Sequence, residues 1–390
     1  MSDAPQHSDT AAVTPIDNDA STEMSPAQLA EAKRYGQLQL VCTLADKMLD
    51  VVFLGIMALV IAAPLDKQMA ASVPNATARL ALIYLITTIA HVCVSFPLSL
   101  YSGHTLEHRF ALSRQSLGRW MARYAKRNLL TLGLGLVLFV GLYWVIWLVG
   151  AWWWLAAAAG FFLVSILLGQ LMPVVVLPLF YKIEPLENAE LTSRMARLAE
   201  GTGLSIQGVY RLGLSDETSK ANAMLAGLGR TRRVLMGDTL LDQFTADEIE
   251  VIFAHEIGHH VFRHIHKMIL TGVLYSVLGF WICDRVLLAW THSLYGPVAI
   301  QDLPPGTLPL LMLVLTVFGL VLEPLQNTIS RHYERQCDHY ALTRTGLRAA
   351  YISAFRKLAK LNKDDPSPHP AEVFLFHSHP PISERLAMAE

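Results

Sequence analysis

His255-Glu256-Ile257-Gly258-His259 brings two imidazoles and a carboxylate together in one short stretch. This is an H-E-x-x-H pattern, and its chemistry depends on the stretch being helical. Positions four apart share a helical face, so His255 and His259 can aim two ring nitrogens at one Zn²⁺. Glu256 lies about 100° round the same helix, near enough to reach a water at the metal without becoming a ligand. The plain alternative is a surface helix that happens to carry two histidines.

Zinc that hydrolyses takes three protein ligands and leaves a fourth position open, so another donor must come from elsewhere. Glu334 is the best candidate, within Ser330-Arg331-His332-Tyr333-Glu334-Arg335-Gln336-Cys337-Asp338-His339. Asp338, four residues on, shares its helical face and is suited to accept the second ring N–H of a ligating histidine. Taken alone, an E-x-x-x-D pair is an ordinary solvated helix surface. It gains weight because the first motif requires a partner. Thr245-Ala246-Asp247-Glu248 reads as a capping box, and Ile249, Ile252 and Phe253 then recur at helical spacing. A helix over the motif is therefore expected on independent grounds.

The surrounding chain is 53% hydrophobic and only 16% charged. Soluble domains carry about a quarter charged residues, so this composition belongs with membrane proteins. A net charge of −1 and the lack of any basic stripe interleaved with aromatics exclude a nucleic-acid partner. Cys42, Cys93, Cys283 and Cys337 lie far apart with no C-x-x-C, which fits neither a disulfide framework nor a thiolate zinc site, and the three in or beside apolar segments read as buried small hydrophobes. Residues 1–35 read as a polar disordered tail with no cleavable signal peptide.

Apolar runs at Leu49–Ala63 (extended back towards Leu38), Leu80–Leu100, Leu129–Leu179, Met268–Cys283 and Leu308–Leu322 are candidate spans. The third is too long for one crossing and must turn near Gly150, with Trp152, Trp153 and Trp154 at an interface. Six spans result: four within 36–181, then two within 267–327. Between them, 182–266 reads as a soluble α/β segment carrying the motif, and 328–390 as a C-terminal segment carrying Glu334. In the soluble segment, Glu187–Gly201 reads as an amphipathic helix and Gly208–Leu212 as a strand. Asn222–Leu225 and Arg233–Met236 are expected to pair as a hairpin. Arg109, Arg114, Arg119, Arg123, Lys126 and Arg127 make 101–128 a cytoplasmic link, which puts 182–267 and the C-terminus on the same side. The expected fold is a mainly α, multi-pass transmembrane bundle with a cytoplasmic α/β zinc-protease domain.

Further ordered motifs accompany these: Pro97-Leu98-Ser99-Leu100-Tyr101-Ser102-Gly103, Leu106-Glu107-His108, Pro178-Leu179-Phe180-Tyr181-Lys182, Asn222-Ala223, Val234–Leu241 and His379-Pro380-Pro381-Ile382-Ser383-Glu384-Arg385. From about Phe96 to the C-terminus the chain resembles the type I CaaX prenyl endoproteases, integral-membrane zinc metallopeptidases of the gluzincin kind. The resemblance implies zinc ligands His255, His259 and Glu334, with Glu256 as general base. It implies that Asn222-Ala223 pairs with substrate backbone and that His379 holds substrate or stabilises the oxyanion. It also implies one zinc per chain, a peptide or protein substrate (lipidated or membrane-associated) and a water-filled chamber among the spans. Two departures stand out: six spans instead of the seven of eukaryotic members, and Cys337 where the family usually has Ala. The polar N-terminus and short chain favour a bacterial inner membrane, whose clients would not be prenylated, over the endoplasmic reticulum.

Other readings follow from the residues themselves. His260, His264 and His266 are expected to be solvated. His91 and Glu323 belong either to a polar cavity wall or to interhelical hydrogen bonds. The rival function is a membrane scaffold or transporter with a structural zinc, closed by a fourth ligand such as Cys337.

Overall fold

Ser25 Oγ accepts from the Gln28 N–H at 3.3 Å while the Ser25 N–H donates to Gln28 Oε1 at 2.9 Å. This capping box, followed by Pro26 at the first helical position, starts a helical run that continues to Ala70. The computed structural model describes residues 23–204, 208–226 and 233–390. The tail expected over 1–35 is thus helical from Pro26 onward, and its first 22 residues lie outside the described ones. The polar residues that read as a tail instead lengthen the first apolar run at its N-terminal end.

Further runs long and apolar enough to cross a bilayer are Ala76–Arg109, Leu117–Phe180, His264–Tyr295 and Pro305–Thr345. Leu117–Phe180 does not continue straight. Gly150 takes φ +67°, ψ −132°, and a Cβ there would collide with the Gln301 amide, so only glycine fits the bend. Leu117–Val149 and Trp153–Leu171 fold back on each other. Five runs among the described residues are thus candidate spans, and the third of them turns at Gly150, as expected.

Trp152 is exposed, but Trp153 is fully buried and donates its Nε1–H to Asp284 Oδ1 at 2.7 Å. The expectation that the three tryptophans form one interfacial belt is corrected at Trp153, which a buried acceptor draws into the bundle core. His91 and Glu323 both bind the N-terminal helix. His91 Nε2 stands 2.7 Å from Asp50 Oδ1, and Lys47 Nζ donates to Glu323 Oε2 at 2.6 Å. Of the two, Glu323 also faces the cavity described below. Cys42, Cys283 and Cys337 are buried, whereas Cys93, on an apolar helix, is exposed.

Outside the bundle, β1 (Ile183–Pro185), β2 (Gly208–Leu212), β3 (Ala223–Ala226) and β4 (Arg233–Gly237) form one sheet in the order β1-β2-β4-β3. β2 and β4 are parallel and the other pairs antiparallel. The expected hairpin is the β3–β4 pair, with Ala223 opposite Met236. Its turn lies outside the described residues. β3 is an edge strand. The amphipathic helix is Ala189–Ala199, capped by Asn188, and buries Leu191, Met195 and Leu198 against the sheet and the motif helix. After β4 the chain is pinned by Asp238, whose carboxylate accepts from the N–H groups of Leu214, Ser215 and Thr239 at 2.8–2.9 Å. Burial alone would raise this carboxyl's pKa, but these bonds and the Ser215 hydroxyl hold it below the usual range.

Candidate metal centre and active site

The motif helix runs Ala246–Val261. Thr245 Oγ1 accepts from the Glu248 N–H at 3.3 Å, and Glu248 Oε2 accepts from the Thr245 N–H at 2.7 Å. Val251, Phe253, Ala254 and Ile257 are fully buried and fix which face turns inward. Against them lies the helix carrying Glu334, Leu308–Thr345. The two helices are in tight contact at Gly258, where a Cβ would stand 3.0 Å from both Cα and Sγ of Cys337. The missing side chain lets the backbones meet, and that contact sets Glu334 opposite the two histidines.

His255 Nε2 lies 3.1 Å from Glu334 Oε2, and His259 Nε2 lies 3.3 Å from Glu334 Oε1. Neighbouring donors round a tetrahedral zinc with bonds of about 2.0–2.1 Å stand about 3.3 Å apart, so the spacing fits one ion. Glu334 Oε2 is buried and has no hydrogen-bond partner among the described residues, despite that 3.1 Å approach. The imidazole and carboxylate are close but not aimed at each other, as donors converging on a third atom would be. The three residues therefore fit the ion that the motif implies.

Behind His255 stands a second pair of charges. His255 Nδ1 is 2.8 Å from Asp338 Oδ1, and Arg385 clamps Asp338 through Nε at 2.9 Å and Nη2 at 2.5 Å. All three are buried. Burial disfavours a charged His255, but the carboxylates of Asp338 and Glu334 outweigh it and raise its pKa to about 9. Two acidic groups crowd the ring and favour positive charge there.

Cys337 Sγ can also come within 4.8 Å of ring nitrogens on both histidines. Its Sγ packs against Gly258, and Cys337 does not line the cavity that Glu334 faces.

That cavity, about 740 Å³, is lined by His255, Glu256, Glu334, His379, Asn222 and Ala223 among others, so every expected site residue except His259 and Asp338 borders it. His379 Nε2 lies 3.6 Å from Glu334 Oε2. The loop bearing it is tied to the Glu334 helix. Asn327 donates to the Leu375 carbonyl at 2.8 Å, and Arg331 Nη1 donates to those of Val373 and His377 at 2.7 and 2.6 Å. Asn222 precedes β3, and its carbonyl accepts from the Gly237 N–H. A second cavity of about 960 Å³ adjoins through Gln39, Thr43 and Asn222, with Leu130, Met172, Val176 and Phe180 in its wall.

Sequence reasoning gave no role to Arg385 or Arg331. Arg385 was visible only as the last residue of the C-terminal motif. Arg331 had a weaker signal, a cation one turn before Glu334. His264, expected in solvent, is fully buried, whereas His266 is exposed and His260 half-buried.

Residues 185–390 match the family model described as peptidase family M48, and residues 7–182 match the one described as CAAX prenyl protease N-terminal, five membrane helices. The chain is 28% identical to the uncharacterized metalloprotease YhfN of Bacillus subtilis, covering 95% of this chain and 88% of that one. It is 27% identical to CAAX prenyl protease 1 of Saccharomyces cerevisiae (83% and 74%) and 25% identical to the CAAX prenyl protease 1 homolog of Homo sapiens (77% and 71%). The crystal structure of S. mikatae Ste24p superposes with a TM-score of 0.80 over 94% of this chain and 89% of that one, at 23% identity, so the fold is shared. With its two-histidine helix set against Glu334 at the mouth of a membrane bundle, the chain belongs to peptidase family M48, among the membrane metallopeptidases homologous to CAAX prenyl protease 1.

Proposed function

We propose that this protein is a zinc metalloendopeptidase that cleaves membrane-associated and lipidated proteins at a site on the cytoplasmic side of its bundle. The observation that carries the reading is the approach of Glu334 to both Nε2 atoms, at 3.1 and 3.3 Å, on the wall of a cavity. His255, His259 and Glu334 hold the metal. Zinc in that grip supplies a Lewis acid that polarises a carbonyl and acidifies water.

The remaining steps belong to the chain's own residues. Glu256, on the cavity wall, takes the proton of the attacking water and hands it to the leaving amine. His379 donates a hydrogen bond to the oxyanion, held in place by Arg331 and by Pro380 and Pro381 behind it. Substrate backbone adds to the free edge of β3 beginning at Asn222 and Ala223, an extended pairing that leaves its carbonyl within reach of the metal. Asp338 accepts the Nδ1–H of His255 and so presents Nε2 to the ion. The cytoplasmic placement rests on the basic residues of 101–128, of which Arg114 and Arg123 meet Glu217 in the α/β segment. Lipidated clients suit the apolar wall of the adjoining cavity and the names of the relatives.

A structural zinc would require four protein donors. Glu334 reaches both Nε2 atoms from the wall of an open cavity, which favours three protein donors and an open position, and Cys337, with Sγ within 4.8 Å of both histidines, is the remaining candidate for a fourth. The test is cleavage of a quenched-fluorescent peptide by detergent-purified protein. Glu256→Gln is expected to lose about 10²–10⁴-fold in turnover while retaining its zinc. Undiminished turnover in that variant contradicts the assignment of Glu256.

A further inference from the structure

The motif helix stops at Val261, two residues past His259. Arg263 takes the left-handed conformation, φ +55°, ψ +36°, which is costly for a non-glycine residue, and a new helix begins at His264. On an unbroken helix His264 would sit about 140° round from His259, with no contact between them. The turn at Arg263 brings it back. His264 Nδ1 lies 3.2 Å from His259 Nδ1, and the His264 ring is fully buried between the Tyr333 ring, stacked at 4.1 Å, and Phe262. Its other nitrogen, Nε2, lies 2.9 Å from Gln336 Oε1, and Gln336 Nε2 lies 3.2 Å from His332 Nε2.

If His259 gives Nε2 to a metal, one direction of hydrogen bonding satisfies this row, with the Cys337 thiol, 3.7 Å from His264 Nδ1, as a weaker neighbour of the same nitrogen. His259 Nδ1 then carries its proton and donates to His264 Nδ1. His264 must be protonated on Nε2, which donates to Gln336 Oε1, and the Gln336 amide N–H donates to His332 Nε2. His264 and Gln336 each donate once and accept once between the donor His259 and the acceptor His332, so the orientations along the row are mutually fixed. We infer that His264 is the positioning residue of His259: it accepts the Nδ1–H of that ligand, locks the tautomer that offers Nε2 to the metal, and is itself held by Gln336. The two histidines of the motif are therefore oriented unequally, His255 by the carboxylate of Asp338 and His259 by a neutral imidazole. The inference rests on the reading of His259 as a ligand.

Zinc affinity of the purified protein, measured by competition with a chromogenic chelator, separates the two claims. His259→Ala tests the reading of His259 itself, and full affinity in that variant overturns it. His264→Phe keeps the stack on Tyr333 but removes the acceptor, and should weaken zinc binding about 10–100-fold. His264→Asn restores an acceptor near the Nδ1 position and should recover most of that loss, although it buries less of Tyr333 and lowers the unfolding temperature of the metal-free protein more. Wild-type affinity in His264→Phe overturns the proposal. So does an equal loss in Phe and Asn that follows metal-free stability, which would make the residue mere packing. If His264→Phe does not fold, Gln336→Leu frees the far nitrogen and should weaken zinc binding by a smaller factor, and unchanged affinity there counts against the proposal.

Discussion

Asp338 sits between two buried nitrogens with opposite needs: His255 Nδ1 at 2.8 Å, which has a proton to give, and an Arg385 guanidinium that requires an anion. Its carboxylate serves both, and it is fully buried in doing so. Asp338→Asn should therefore be costly twice over. Leaving Arg385 buried without a counter-charge is expected to cost about 3–5 kcal/mol of stability, and loss of the orienting carboxylate should weaken zinc binding about 10–100-fold. Urea unfolding with and without metal would read both effects. Asp364, elsewhere on the cavity wall, shows the opposite balance. Desolvation at the cavity wall pushes its pKa up to about 6 against the pull of Lys220 and His377, while part of the residue stays open to solvent. A carboxyl raised from its usual value near about 3.9 favours the folded state while protonated, and that contribution fades as pH rises through about 6. Asp364→Asn should flatten the decline in unfolding temperature between about pH 4 and 6, and an unchanged slope would show that the carboxyl is not perturbed.

The crossing of the motif helix and the Glu334 helix decides whether the residues form a site at all. Gly258 is the point of contact, so Gly258→Ala must push the helices apart or displace the Cys337 thiol. The expected cost is about 1–3 kcal/mol, with zinc content falling because Glu334 recedes from both histidines. Cys337→Ala in the same chain removes the Sγ clash but not the one with Cα, so recovery should be partial, as a metal assay on the double variant would register. The start of the motif helix was legible from Thr245 and Glu248, because a capping box is local. The importance of Gly258 was not, because its neighbour lies some eighty residues later in the chain. His264 was misjudged for the same reason. Nothing near it in sequence signals the left-handed turn at Arg263 that buries it. Arg331 acts between elements too, tying the His379 loop to the Glu334 helix. Arg331→Met should lower kcat by about tenfold or more while zinc content holds, because only the oxyanion donor is displaced.

At the scale of the molecule, uninterrupted apolar runs gave the bundle its segments, and the break at Gly150 could be placed because no single crossing needs so long a run. The N-terminal limit of the first helix was harder, since residues 26–45 mix polar and apolar side chains and their helix leans on partners far away. Lys363 pairs with Glu31 and Glu323 with Lys47. The donor set at the centre was legible residue by residue, but its assembly needs the motif helix, the Glu334 helix and the C-terminal segment to meet at one end of the bundle. X-ray absorption at the zinc edge of the purified protein tests that assembly most directly. Ligation by His255, His259 and Glu334 predicts a first shell of nitrogen and oxygen alone, at about 2.0–2.1 Å. A sulfur scatterer at about 2.3 Å would place Cys337 on the metal and contradict it.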